Sequence, residues 1–205
     1  MWYVVQVQTG RELETAEKCR NQIIKPGEDV FVVLAERMRQ IGREWELRQS
    51  VIFKSYIFVE TADIDSFRLR LSKIEAMTKV LSTGEEVTPI RPEEEEFLKR
   101  LGGKEHIARY SQGYMVGDKL VVTEGALQGC GGRCKWIDRH RRIAVIEIEL
   151  MGRVVDVKLG LGVVKKIKET NQEAAKCSGR PERPAGRGGH TVMPSGDWSR
   201  EQKML

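Results

Sequence analysis

Beyond residue 118 the chain offers five short runs of β-prone residues, at 119–122, 133–137, 143–149, 153–158 and 163–167, with no helix-period segment between them. Glycines and charged turns separate the runs. An open sheet of such short strands could not bury an apolar face and would leave two unpaired edges, whereas curling into a small barrel removes both costs. Residues 114–168 are therefore expected to form a five-stranded β-barrel.

The first hundred residues follow a different rule. Residues 2–8 alternate and are rich in Val and aromatics, which predicts a strand; Thr9-Gly10 then opens a helix with Leu13, Ala16, Cys19, Ile23 and Ile24 as its apolar stripe, ended by Pro26-Gly27. Strand pattern returns over 29–38. The polar, Arg-rich stretch 39–49 reads as a hairpin or mobile loop, and 51–60 is the most strand-like segment. Ile64, Phe67, Leu71 and Ile74 stand at helical spacing behind Asp63, a plausible N-cap. Val80-Leu81 suggests a short strand, and 89–102 a last helix whose acidic first turn suits the positive end of the helix dipole. This order predicts an α+β sandwich, with helices packed on one antiparallel or mixed sheet.

The expected organisation is thus a domain at 1–105, a polar linker at 106–113, the barrel at 114–168, and a tail at 169–205 that Pro, Gly and Arg should keep disordered. Gly186-Arg187-Gly188-Gly189 is a single arginine-glycine element in that tail, and a bland flexible extension explains it better. No stretch approaches the roughly 20 apolar residues of a membrane span, and Met1-Trp2-Tyr3-Val4-Val5 lacks a signal sequence, so a soluble cytoplasmic protein is expected. Four scattered cysteines suit a reducing compartment better than a disulfide framework.

The net charge of +5 is concentrated. Residues 114–168 hold 11 basic and 6 acidic side chains, whereas residues 1–110 hold 18 and 19. A compact basic module beside a neutral domain points to nucleic acid; the bland alternative is an ordinary solvated surface.

Two motifs in order add a family. Trp2-Tyr3-Val4-Val5-Gln6 with Phe53-Lys54-Ser55-Tyr56-Ile57-Phe58-Val59 resembles the amino-terminal domain of NusG-type transcription elongation factors. Residues 121–132, with Gly125, Gly129 and Gly132, and the later Gly152-Arg153 turn resemble their carboxy-terminal KOW module. The resemblance implies a NusG-type α/β sandwich followed by an SH3-like KOW barrel. It also implies that the aromatic strand meets the clamp helices of the largest RNA polymerase subunit, through Phe53, Tyr56 and Phe58. Periodicity alone favours the core for this strand, since both of its faces are apolar; Phe53 shares parity with Ile57 and Val59.

Departures from the family pattern narrow the reading. Lys54-Ser55 replaces Pro-Gly, Ala126-Leu127 replaces Pro-Phe, Cys130 stands where an aromatic is usual, and Met151 replaces a Phe tied to Rho and to a ribosomal protein. With the basic turn Arg139-His140-Arg141-Arg142, and with Lys135, Arg153 and Lys158 on nearby strands, these departures suggest the specialised LoaP type of paralogue. Such a factor would hold a nascent RNA hairpin and promote antitermination. Non-template DNA is a further candidate partner, no membrane is implied, and a monomer is expected. A housekeeping factor coupled to Rho or the ribosome, or a ribosome-associated KOW protein, remains the alternative.

No catalytic constellation is legible, so no enzyme and no cofactor are expected. The barrel glycines do not form a P-loop or a dinucleotide fingerprint. Cys130 and Cys134 with His140, and His106 or Cys177 as a fourth ligand, lack the matched second pair of a structural zinc site.

Overall fold

The computed structural model describes residues 1–73, 79–81, 87–116 and 119–167. The expected tail at 169–205, with its arginine-glycine element and Cys177, and the predicted helix end at Ile74 lie outside the described residues.

Val and aromatic residues at successive positions give strands that are apolar on both faces, and such strands require cover on both. Strand β1 (Trp2–Gln6) pairs antiparallel with β5 (Tyr56–Glu60) and with β6 (Lys79–Val80), while β2 (Asp29–Phe31) extends the sheet beyond β5. On one face Val5, Val30, Ile57 and Val59 bury with Ala16 and Cys19 of α1 (Glu12–Gln22) and with Phe67 and Leu71 of α2 (Ile64–Leu71). On the other, Trp2, Val4, Phe31 and Phe58 join Phe97, Leu98 and Leu101 of α3 (Pro92–Gly102). This is the expected α+β sandwich.

Local chemistry sets the helix boundaries. The Asp63 carboxylate accepts the Ser66 N–H at 3.0 Å, as an N-cap should. Pro92 opens α3, and the Glu94 carboxylate reaches back to the Arg91 N–H at 3.0 Å. Helix α1 departs from its expected stripe: Leu13 is exposed, whereas Glu12 is buried because its carboxylate accepts the Ser55 N–H at 2.8 Å.

The Arg-rich stretch forms a hairpin, β3 (Leu34–Ile41) and β4 (Glu44–Val51), with β7 (Ile107–Ala108) parallel beside β3. The barrel-like unit contains β8 (Ser111–Val116), β9 (Lys119–Glu124), β10 (Cys134–Asp138), β11 (Ile143–Leu150) and β12 (Arg153–Ile167), in the order β10-β11-β12-β8-β9. Ala144, Ile146, Ile148 and Leu150 turn inward with Val157, Leu159 and Leu161. Leu127 and Cys130 are buried in the same cluster, so the two positions that depart from the family's aromatics still fill the core.

Two expectations need correction. The segment 106–113, expected as a polar linker, carries β7, paired with β3, and the start of β8, paired with β12. The last two expected strands are one continuous strand, β12, which pairs antiparallel with β11 over its first half and parallel with β8 over its second. Gly160 and Gly162 do not break it. The Tyr110 ring lies against both, and a Cβ at Gly160 would stand 2.5 Å from Tyr110 Cδ2. Among the barrel glycines, Gly125 has φ 95° and packs against Ser111, whereas Gly132 sits in a short 3-10 turn without positive φ.

Residues 1–169 form one compact unit. Glu36 of β3 binds Arg109 at 2.5 Å and accepts the Tyr110 N–H at 3.1 Å. Arg91 pairs with Glu149 at 2.8 Å, and the Arg133 guanidinium lies 4.4 Å from the centre of the Phe97 ring.

Candidate nucleic-acid interface

The turn between β10 and β11 carries Arg139, His140, Arg141 and Arg142. Asp138 anchors its start: its carboxylate accepts the Arg141 N–H at 2.9 Å and stands 3.7 Å from Arg141 Nε. The Arg141 side chain is nevertheless 78% exposed. Arg139 and His140 are exposed and have no ion pair among the described residues. Arg142 closes the turn in the left-handed region, φ 54°, with its carbonyl accepting the Leu161 N–H at 2.9 Å. Its guanidinium stacks over Trp45 of β4, 4.5 Å from the ring centre.

Cross-strand register sets what lies next to this turn. Trp136 pairs with Val145, and Val145 with Lys158, so all three share the outer face of β10-β11-β12. Trp136 is 44% exposed and Lys158 is exposed with no ion pair among the described residues. An exposed indole on the same face as a free lysine and beside a basic turn can stack an unpaired base while the cations take phosphates.

The remaining expected RNA contacts fall elsewhere. Lys135 Nζ lies 3.0 Å from Glu147 and 3.3 Å from Asp156, and hydrogen bonds to these two carboxylates raise its pKa. Its charge is already answered within the sheet. Arg153 pairs with Leu150, at the end of β11 opposite the turn; seven strand steps place it about 23 Å away. The structure therefore gathers Arg139, His140, Arg141, Arg142 and Lys158, and leaves Lys135 and Arg153 apart.

The three aromatics expected at a polymerase surface also separate. Phe58 and Phe53 are buried, with ring centroids 5.5 Å apart. Phe53 does not follow the parity read from sequence, because the chain turns before β5 and Ser55 adopts φ 68°. It joins the Trp2–Phe58 face instead of the Ile57–Val59 face. Tyr56 is half-buried at the margin of that cluster and is the one of the three with accessible surface.

Trp45 and Trp136 escaped the reading of the sequence. Each lies within a few residues of an Arg or Lys, and that neighbourhood is the signal that could have marked them. Among the described residues no group of three His, Cys, Asp or Glu side chains is placed to hold a metal. Cys130 is buried, with Sγ 3.7 Å from the carbonyls of Ala126 and Gln128. No helix among the described residues is long and apolar enough to cross a membrane.

Residues 1–99 match the NusG family, described as "Transcription termination factor nusG". Over 180 residues the chain is 26% identical to the transcription termination/antitermination protein NusG of Vibrio vulnificus (strain CMCP6), with 81% of this chain and 95% of the relative covered. The protein of the same description from Rickettsia typhi (strain ATCC VR-144 / Wilmington) is 24% identical over 174 residues, covering 80% and 89%. A solved structure described as "Domain interaction in Thermotoga maritima NusG" is similar with a TM-score of 0.48 and 22% identity, covering 78% of this chain and 92% of that one. Over its first 99 residues the chain is thus similar to the NusG family, and at modest identity it is similar to proteins described as termination/antitermination factors.

Proposed function

We propose that this chain is a specialised, non-enzymatic NusG-type factor that rides on RNA polymerase through its amino-terminal domain and holds structured nascent RNA at the 139–142 turn. The observation that carries the reading is the basic turn Arg139, His140, Arg141 and Arg142 next to the sheet face that bears Lys158 and the exposed indole of Trp136, whereas Lys135 is tied to Glu147 and Asp156 and Arg153 lies at the other end of β11. Arginine donors bridge phosphates and stack on bases, and an exposed Trp accepts a splayed base; RNA loops and bulges offer both. Tyr56 is the residue through which the β5 margin would meet the polymerase. Met151 is half-buried against the core, so the family's exposed Phe contact has no aromatic counterpart here, which favours the specialised role over Rho or ribosome coupling. Together the two attachments would suppress pausing or termination in the cytoplasm on selected transcripts.

The test is binding of a fluorescein-labelled RNA stem-loop to the full chain across a salt series. Replacing both Arg139 and Arg141 by Ala should weaken binding and lower the salt slope by about 2, one unit for each phosphate that is no longer neutralised. Unchanged affinity and slope would remove the turn from the RNA site.

A further inference from the structure

The 139–142 turn does not end at the barrel. Its last residue, Arg142, reaches across to the amino-terminal hairpin and lies over Trp45, which occupies β4 opposite Gln40 near the hairpin tip. Among the described residues, most engaged arginines are held by carboxylates. Arg109 is bound by Glu36 and Glu105, and Arg70 by Glu28, and such pairing consumes the donor edge of the guanidinium. Arg142 has no ion pair among the described residues. A guanidinium carries five N–H donors, and a cation–π contact with a ring face need not occupy them as a carboxylate does. The Trp45 contact therefore holds Arg142, whose side chain makes no ion pair or hydrogen bond among the described residues.

We infer that Trp45 is a positioning residue for RNA, holding Arg142 against its indole so that its unpaired N–H donors are presented to a phosphate of the RNA taken by the 139–142 turn. This rests on the RNA reading proposed above and extends it, because the RNA face is then built from both halves of the chain. Backbone and side chain of Arg142 are fixed before RNA arrives. The carbonyl is bound by the Leu161 N–H, the backbone is held at φ 54°, and the side chain is clamped on the indole. A clamp of this kind removes part of the ordering cost of an arginine at an interface. The barrel alone lacks Trp45 and would hold the same RNA less tightly.

The experiment uses the full chain and the same labelled stem-loop, with circular dichroism as a check on folding. Trp45→Ala should weaken binding about 3- to 10-fold, the range expected when one long side chain is no longer preorganised. Trp45→Phe, which keeps an aromatic face, should recover most of that affinity. In an Arg142→Ala background Trp45→Ala should cost nothing more. Wild-type affinity in Trp45→Ala overturns the inference, and so does a weakening that persists without Arg142, since Trp45 would then touch RNA directly. If the Arg139/Arg141 double variant binds as tightly as wild type, the RNA reading fails and the inference with it. If that variant is weakened while Trp45→Ala is not, the inference alone fails.

Discussion

The His106 imidazole lies flat on the Phe31 ring, with centroids 3.5 Å apart and planes 7° from parallel. Trp2 meets the same imidazole edge-on at 5.4 Å. Burial in this aromatic stack lowers the pKa of His106; Asp29, 3.9 Å from Nε2, and Glu60 oppose the shift, and Arg20 and Lys99 reinforce it.

The consequence is an acid-sensitive fold. The unfolded chain takes up this proton at about pH 6.5, before the folded one does, so stability is full above that value and declines as pH falls through the window beneath it. Denaturation midpoints measured on either side of about pH 6.5 should show the decline. His106→Asn, which tolerates the left-handed φ of 56°, should flatten it. A midpoint equally sensitive in the Asn variant would assign the acid response to other groups.

Glu28 should respond in a lower range. Arg70 donates to its two carboxylate oxygens at 2.7 and 2.8 Å, and Thr61 and the Lys25 N–H add further bonds. The Arg70 hydrogen bonds do most to bring its pKa down, to about 2. The resulting stability is present above the ordinary carboxylate range and is lost as pH falls from there towards 2. Glu28→Gln should cost about 2–3 kcal/mol at neutral pH, because Arg70 is left half-buried without its partner. Urea denaturation measures this; a change within experimental error would show that the pair is solvated in solution.

Gly160→Ala should destabilise the chain by about 1–3 kcal/mol, since a methyl group there would collide with the Glu36 carbonyl and the Tyr110 ring. The damage should appear as a lower unfolding midpoint, and Tyr110→Ala combined with it should recover part of the stability by opening space. A neutral Gly160→Ala would mean that β3 does not lie against β12 in solution.

Phe58 and Tyr56, two residues apart on β5, should behave differently. Phe58→Ala empties a fully buried site and should cost about 3–5 kcal/mol of stability. Tyr56→Ala should leave the fold largely intact and weaken association with core RNA polymerase, measured by competition for the labelled enzyme. Unfolding of the Tyr56 variant to the same extent as the Phe58 variant would return Tyr56 to the core.

What the sequence made legible follows from range. Sheet faces and helix N-caps depend on neighbours along the chain, and Asp63 and the strand run at 143–149 were readable for that reason. Phe53 was misread because parity survives only while the backbone stays extended, and Ser55 breaks it. Gly160 and Gly162 signalled a strand end, yet the space beside them is filled by an aromatic ring from a residue about fifty positions earlier, which no local pattern announces. The RNA candidates were separable only by register: nothing in the composition distinguishes Lys135, tied to Glu147 and Asp156, from Lys158, which is free of such pairs among the described residues. Trp45 lies almost a hundred residues from Arg142, so their contact needed the fold.

The strand pairings of β7 with β3 and of β8 with β12 have a practical meaning for anyone cutting this protein into parts. Backbone that is hydrogen-bonded into two sheets is poor protease substrate and slow to exchange its amide protons. A fragment begun at residue 114 would lose half of β8 and expose the edge of β12, a template for another chain to pair with. Expression boundaries placed there should yield aggregates, and a working barrel fragment must begin before Ser111.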